Sequence, residues 1–251
     1  MFQSKRSVIL LTTNKLDEDI LRIVRPFNVV LTAIASSKFK IKNRHITPCV
    51  KTFHLLICFS IIALKLWSSF MFVVGRGDFK HKKIVDNFFC LTVFFYCVNY
   101  TLLTYNNIMH SCHNISLFMK IQDINRNINI SVQSYVVWTW ISFLITLILF
   151  ISDISWFLLK SGIVGTVHVS ENILVFQFDI NFVYGIRLVT LLVMYLKEWA
   201  RSIIIMTEER PNEYFVRKLE TYVNILEAFK LFTICFKAMV SWFYKLDEML
   251  S

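Results

Sequence analysis

Charged and polar side chains inside long apolar stretches are the residues of this sequence best placed to do chemistry. Asp153 and Asp179 lie in two such stretches, each near the end that we expect to face outward. A carboxylate in hydrocarbon is costly, so it normally faces protein, water or a bound molecule. Trp156, Asn181 and Tyr184 fall at a similar depth, and aromatic rings beside oxygen atoms suit a small polar ligand. The sequence therefore predicts one outward-opening cavity that these five side chains share.

A second interpretation of the same residues needs no ligand. Tryptophans and carboxylates commonly anchor the ends of membrane helices, so Asp153 and Trp156 can simply mark the aqueous boundary. Asp179 would then pair with a basic group. The two interpretations differ in whether the side chains meet around a cavity.

Two basic residues, Lys65 and Arg187, lie nearer the middle of apolar stretches. Asp179 precedes Arg187 by eight residues, which is about 12 Å along a helix axis and too far for direct contact. We therefore expect Arg187 to find a partner on another helix or to extend its charge toward the membrane surface. Lys65 is interpreted as a lysine that extends toward the surface in this way.

Other chemistry finds little support in the sequence. The segment from His110 to His113 reads HSCH and holds three metal-binding side chain types, but a closed zinc site needs four ligands, usually from two separated pairs. No second pair accompanies it, so no metal is expected. The chain has no P-loop, no Gly-x-Ser-x-Gly elbow and no His-Glu-x-x-His pair, and we expect neither an enzyme nor a cofactor.

The elements that must position these residues are four apolar windows. A helix needs about 20 mostly apolar residues to cross a hydrocarbon core of roughly 30 Å. Composition supports this class, since 56% of the residues are hydrophobic and the mean hydropathy is +0.56. The windows lie at residues 53–74, 84–105, 135–158 and 173–196. We predict an all-α, polytopic membrane protein with four complete spans.

The distribution of basic residues predicts the orientation of these spans. Of the 27 Lys and Arg residues, 20 lie before residue 53, in the 106–134 connection or after residue 196. Five lie in the other two connections, 75–83 and 159–172. Because short basic loops stay on the cytosolic side, both termini are predicted to be cytosolic. The net charge of +10 is thus explained by topology, and no nucleic-acid partner is expected.

This orientation has consequences for cysteines and for glycosylation. The two outer connections contain no cysteine, so no structural disulfide is expected. The sequons at Asn114 and Asn129 fall in a connection that is predicted to be cytosolic, where they would not be glycosylated.

The flanking regions are predicted to be helical as well. Residues 16–37 carry acidic residues in the first turn and apolar residues at helical spacing, with Pro26 as a kink. After residue 196 the pattern is that of amphipathic helix, broken near Pro211, and the apolar run 228–244 could begin a fifth span. We divide the chain into a cytosolic region at 1–52, a membrane bundle at 53–196 and linker helices at 197–251.

Three short segments resemble insect gustatory receptors. LRIVRPFNVVL at 21–31 and KIKNRHITP at 40–48 are similar to the entry of these receptors before their first span. YVNILEAFKLF at 222–232 is similar to the cytosolic segment between their fourth and fifth spans. The order of the spans between these segments also fits the family.

The resemblance implies a plasma-membrane taste receptor: a seven-span subunit of a ligand-gated cation channel that binds a small tastant and assembles as a homo- or hetero-tetramer in membrane lipid. One departure is large, because the pore-lining final span of the family, with its Thr-Tyr and Gln-Phe signature, has no counterpart here. The chain is therefore expected to be a partial receptor sequence, a truncated isoform or a degenerate copy.

Two other classes stay open. One is a helical membrane protein without a pore that binds or stabilises other membrane proteins. The other, a G-protein-coupled receptor, would require the opposite orientation.

Overall fold

The computed structural model describes residues 14–34, 36–48, 51–75, 82–128, 130–161, 163–204 and 212–250. Within this part the protein is all-α apart from one small hairpin. The helices are α1 Glu18–Ala33, α2 Lys51–Gly75, α3 Lys82–Met109, α4 Ser111–Ile128, α5 Gln133–Ser161, α6 Ile163–Ile204 and α7 Asn212–Leu250. The strands are β1 Lys40–Lys42 and β2 His45–Thr47.

Three of the helices are long and apolar enough to cross a membrane. Their candidate spans are Thr52–Phe70 in α2, Gln133–Trp156 in α5 and Asn172–Ile204 in α6. The predicted window at 84–105 does lie within one continuous helix, α3, of 28 residues. It is not among the candidate spans found in the described residues, so the prediction of four complete spans is confirmed for three.

Helix α6 lies at the centre of the bundle. It contacts each of the other six helices, and 44% of its apolar window is buried, against 17% for that of α5. The cause is a stripe of buried residues at alternating spacings of three and four, which keeps one side of a helix facing inward. These residues are Leu174, Gln177, Asn181, Tyr184, Leu188, Leu191 and Tyr195.

Helix α1 is nearly as predicted. It runs over Glu18–Ala33 rather than 16–37, with Glu18 and Asp19 in its first turn and Pro26 inside it. The acidic residues favour the positive end of the helix dipole. Its apolar side, with Ile20, Ile23 and Phe27 among others, is buried against the bundle. The N-terminal region is therefore docked on the bundle by its own helix.

The hairpin was not predicted from the sequence. Strands β1 and β2 pair antiparallel around Asn43 and Arg44, whose φ angles are 51° and 67°. Two consecutive positive φ angles define the type I′ turn that joins two-residue hairpins, and Asn is one of the few residues that adopts it readily. The preceding segment adds a bridge between Lys15 and His45. This small sheet lies before α2.

The C-terminal helices are longer than predicted. Helix α6 continues to Ile204, and α7 begins at Asn212, so the predicted break at Pro211 lies outside the described residues. The run 228–244 lies within α7 and is not among the candidate spans of the described residues.

Candidate ligand-binding site

A cavity of about 260 Å³ lies between α5 and α6, and both predicted aspartates line it. On α5 the lining residues recur at helical spacing, and the same is true on α6, so each helix contributes one face. Asp153 comes from α5 and Asp179 from α6. The other lining residues are Thr146, Leu149, Phe150, Asn172, Val175, Phe176, Phe182 and Val183.

The wall of this cavity combines acid with aromatic surface. The rings of Phe150 and Phe176 stack across the two helices with centroids 4.0 Å apart. The side-chain amide nitrogen of Asn172 is buried without a hydrogen-bond partner among the described residues. Such a group is normally satisfied by protein, water or ligand. The site therefore offers negative charge, ring surface and one unsatisfied polar atom.

Two of the five predicted ligand-binding residues meet in this cavity, and three do not. Trp156 is 58% exposed on α5, which suits an anchor at a membrane boundary. Asn181 and Tyr184 are buried on the opposite side of α6. Residues two or five positions after Asp179 point about 160° or 140° away from it at 100° per residue. The prediction of one cavity for all five side chains is thus wrong for these three.

Asn181 instead belongs to a buried polar network that the sequence did not reveal. Its amide nitrogen donates to Ser36 Oγ at 3.0 Å. Asn107 Nδ2, on α3, donates to the Ser36 carbonyl at 3.0 Å. Gln177 Nε2 donates to Thr104 Oγ1 at 3.1 Å. These bonds tie the segment after α1 to α3 and α6.

Lys38 lies at the centre of this network, only 2% exposed. Its Nζ donates to Asn107 Oδ1 at 2.6 Å and lies 4.4 Å from the ring centroid of Phe236 on α7. Tyr184 presents a second ring at 6.0 Å. Burial lowers the pKa of Lys38 from 10.5 to about 8, because desolvation disfavours its charged form. No sequence signal distinguishes Lys38 from its many basic neighbours.

Arg187 has found a partner on another helix, as expected. Its Nη2 donates to Ser142 Oγ on α5, and its own carbonyl accepts a hydrogen bond from Tyr135 Oη. The interpretation of Lys65 was wrong. That side chain is fully buried within the bundle and does not extend toward a surface.

Two further concave surfaces differ from the acidic cavity. One, of about 580 Å³, is an almost entirely apolar groove between α2 and α3, lined by Leu66, Phe70 and Phe94 among others. The other, of about 520 Å³, lies between the hairpin and α4 and includes Ile46, Met119 and Lys120. The first is the kind of surface that lipid covers in a membrane.

The HSCH segment brings His110 and His113 together, with ring centroids 5.4 Å apart. In the part of the chain that the structure describes, no group of three or more His, Cys, Asp or Glu side chains could hold a metal ion. Comparison of the chain with family models, with curated proteins and with solved structures gives no match.

Proposed function

We propose that this chain is a gustatory-receptor-like membrane subunit that binds a small tastant between α5 and α6. The observation that supports this most directly is the acidic, aromatic cavity formed by two helices that are each able to cross a membrane. The resemblance of segments 21–31, 40–48 and 222–232 to gustatory receptors also supports the proposal.

The proposal includes the plasma membrane, α3 as a fourth span and cytosolic termini. Helix α3 is about 42 Å long, which exceeds the thickness of the hydrocarbon core. On α5, Trp138 and Trp156 are both well exposed and lie about 27 Å apart along the axis, close to the spacing of two membrane boundaries. In this orientation Asp153 and Asp179 lie in the outer half of the bundle.

The ligand class follows from the chemistry of the lining. Two carboxylates favour a cation, and stacked phenylalanine rings favour both its apolar body and its charge. The volume lies just below the range of pockets that hold drug-sized molecules. We therefore assign a small protonated amine to this cavity.

Ligand recognition is the step that we assign to this chain. In a complete subunit, ligand binding in the outer half would favour the open state of a tetrameric channel by binding that state more tightly. The cytosolic helices would transmit the change to the final span.

The proposed site is tested by comparing an amine with its uncharged isostere. Phenethylamine and 2-phenylethanol have nearly the same size, so equilibrium binding of each to the purified full chain in lipid nanodiscs measures the effect of charge. We expect the amine to bind at least about tenfold more tightly, which corresponds to about 1.4 kcal/mol. Asp153→Asn and Asp179→Asn should each reduce that preference.

Two matched variants serve as controls. Trp156→Phe changes an aromatic residue that does not line the cavity. Asp123→Asn removes a carboxylate from α4, a helix that contributes no lining residue. Both should leave the preference for the amine unchanged. Equal binding of the amine and the alcohol, or the same loss in Asp123→Asn as in Asp179→Asn, would contradict the proposed site.

A helical membrane protein that acts by binding other membrane proteins is the second candidate. It is favoured by an apolar face of α7 that no described residue covers. If the chain binds neither phenethylamine nor its isostere yet forms stable complexes in membranes, this second function is the better one.

A further inference from the structure

Helix α7 has two apolar faces, and only one of them is covered by the described residues. Thr221, Ile225 and Ala228 are buried against the bundle. On the opposite side of the helix, four large apolar side chains are exposed to 61%, 53%, 45% and 49%. They are Val216, Leu219, Val223 and Leu226. We call these four residues the α7 seam.

The α7 seam does not suit the hydrocarbon of a membrane. Four charged residues lie between and beside the members of the seam: Arg217, Lys218, Glu220 and Glu227. Charged side chains are costly inside the hydrocarbon core of a membrane. No candidate span among the described residues lies in α7. The seam therefore faces water or another protein, and its continuous apolar surface favours protein.

The order of residues in the seam identifies the kind of partner. Spacings of three, four and three place the side chains at successive a and d positions of a heptad repeat. Valine occupies both a positions and leucine both d positions. A β-branched residue at a with leucine at d favours a parallel pair of helices. We propose that two copies of this chain pair through the α7 seam as a short parallel coiled coil.

The position of α7 permits parallel pairing in a membrane. Trp199 of α6 stacks on Tyr222 with ring centroids 4.5 Å apart, and Tyr184 of α6 contacts the ring of Phe236 at 6.1 Å. Residues further along α7 thus meet residues earlier in α6, so the two helices run antiparallel side by side. Because α6 is a candidate span, α7 stands roughly along the membrane normal. A twofold axis along that normal then aligns two α7 helices in parallel.

Charge next to the seam favours the same arrangement. Glu220 and Glu227 occupy the two e positions, whereas Phe215 and Tyr222 occupy g positions. In a parallel pair, e positions face g positions of the partner, so no glutamate faces another glutamate. An antiparallel pair would instead bring glutamates near each other, which is unfavourable.

Residues beside the seam are held by α4 and α6, so the seam is preorganised. The indole nitrogen of Trp199 donates to the Lys218 carbonyl at 2.9 Å. Lys120 of α4 donates to Asn224 Oδ1 at 2.9 Å and pairs with Glu227 at 2.7 Å. Two heptads bury less surface than a stable interface between freely diffusing proteins needs. Confinement of both copies to one membrane raises their effective concentration and offsets this deficit.

Disulfide trapping in membranes tests the geometry. In a parallel pair, identical a or d positions face each other across the axis, whereas b positions point outward. Starting from the full chain with Cys90→Ser and Cys112→Ser, which removes two exposed thiols, we would compare Leu219→Cys and Val223→Cys with Arg217→Cys. Under mild oxidation, we expect the first two to form covalent dimers at least about tenfold faster than the third.

A second measurement distinguishes loss of pairing from loss of folding. Leu219→Glu with Val223→Glu places charges in the seam without touching the buried face of α7. Single-molecule counting of fluorescently labelled chains in nanodiscs or native vesicles should show dimers in the parent and monomers in this variant, with an unchanged melting temperature.

Three outcomes overturn the proposal. The first is equal trapping at position 217 and at position 219, and the second is a dimer that survives the glutamates. The third is a monomeric Leu219→Cys variant whose attached fluorophore is quenched by lipid-attached nitroxide, which would favour a membrane-surface role. None of these readouts depends on ligand binding, so a result that contradicts the pairing leaves the proposed amine site unaffected.

Discussion

Lys38 shows how a single buried charge can be tolerated without a carboxylate as its hydrogen-bond partner. Its ammonium donates to the amide oxygen of Asn107 and lies over the ring of Phe236. An amide and two rings compensate only part of the lost hydration, which is why the pKa falls to about 8. Lys38 therefore destabilises the folded state at neutral pH while holding together three parts of the chain.

The lowered pKa predicts a specific dependence of stability on pH. Between about pH 8 and pH 10.5 the unfolded lysine keeps its proton while the folded one loses it, so this contribution to stability rises with pH. Below pH 8 both states are protonated and the contribution is constant. From pH 7 to pH 9.5, the free energy of unfolding of the wild type should rise by about 2 kcal/mol relative to Lys38→Met.

Reversible denaturation of both proteins in the same detergent, at matched pH values, measures this difference. The comparison cancels the effects of titratable groups that do not interact with Lys38. Cys235 does interact with it, so Cys235→Ser is introduced into both proteins. Parallel stability curves for the wild type and Lys38→Met would mean that the lysine is not desolvated as described.

At the scale of elements, the N-terminal segment is fixed to α4 by one buried amide and one exposed ion pair. Gln122 accepts a hydrogen bond from the Asp17 backbone nitrogen at 2.8 Å and donates to the Lys15 carbonyl at 3.1 Å. Arg126 forms two hydrogen bonds of 2.7 Å with the Asp17 carboxylate. Gln122 is 1% exposed, whereas the guanidinium and carboxylate are both accessible to water.

These two contacts should differ in strength in spite of their similar geometry. Gln122→Met leaves two backbone groups without partners, which should lower the free energy of unfolding by about 2 kcal/mol. Arg126→Gln removes only an exposed pair, and its effect should stay below about 1 kcal/mol. Chemical denaturation of the two variants beside the wild type gives the comparison. An equal loss of unfolding free energy in both variants would contradict this, because it would mean that the exposed ion pair stabilises the segment as much as the buried amide does.

At the scale of the whole molecule, orientation decides which surfaces meet the outside. The structure adds one constraint, because Asn114 is fully buried and its Nδ2 donates to the His110 carbonyl at 3.0 Å. A glycan on Asn114 is incompatible with that position. Asn129, the other sequon, lies outside the described residues.

Cysteine labelling on intact cells tests the proposed orientation. Native Cys112 is exposed at the start of α4 and should react with a membrane-impermeant maleimide only after permeabilisation. Asp78→Cys, in the predicted outer connection, should react in intact cells, because the distribution of basic residues predicts that residues 75–83 lie on the side opposite to residues 106–134. The reverse pattern would support the topology of a G-protein-coupled receptor.

Local patterns in the sequence determined the helical elements and the residue classes, since both depend on neighbours within a few turns. The apolar windows at 53–74, 135–158 and 173–196 coincide with candidate spans, and α1 ends within four residues of its prediction. Asp153 and Asp179 line one cavity, because both lie at corresponding depths of adjacent helices.

Only the tertiary structure decided which side chains face one another. Depth along a helix can be read from the sequence, but rotation about its axis is set by packing against other helices. That is why Asn181 and Tyr184 turned away from Asp179, and why Lys65 became buried. Lys38 depended on contacts with distant segments, so no local signal could identify it. The Asn43–Arg44 turn did have a local signal, because Asn readily adopts a positive φ angle, but strands of three residues are too short to show an alternating pattern. The α7 seam is visible as a heptad in the sequence, yet its exposure follows from which face α4 and α6 already cover.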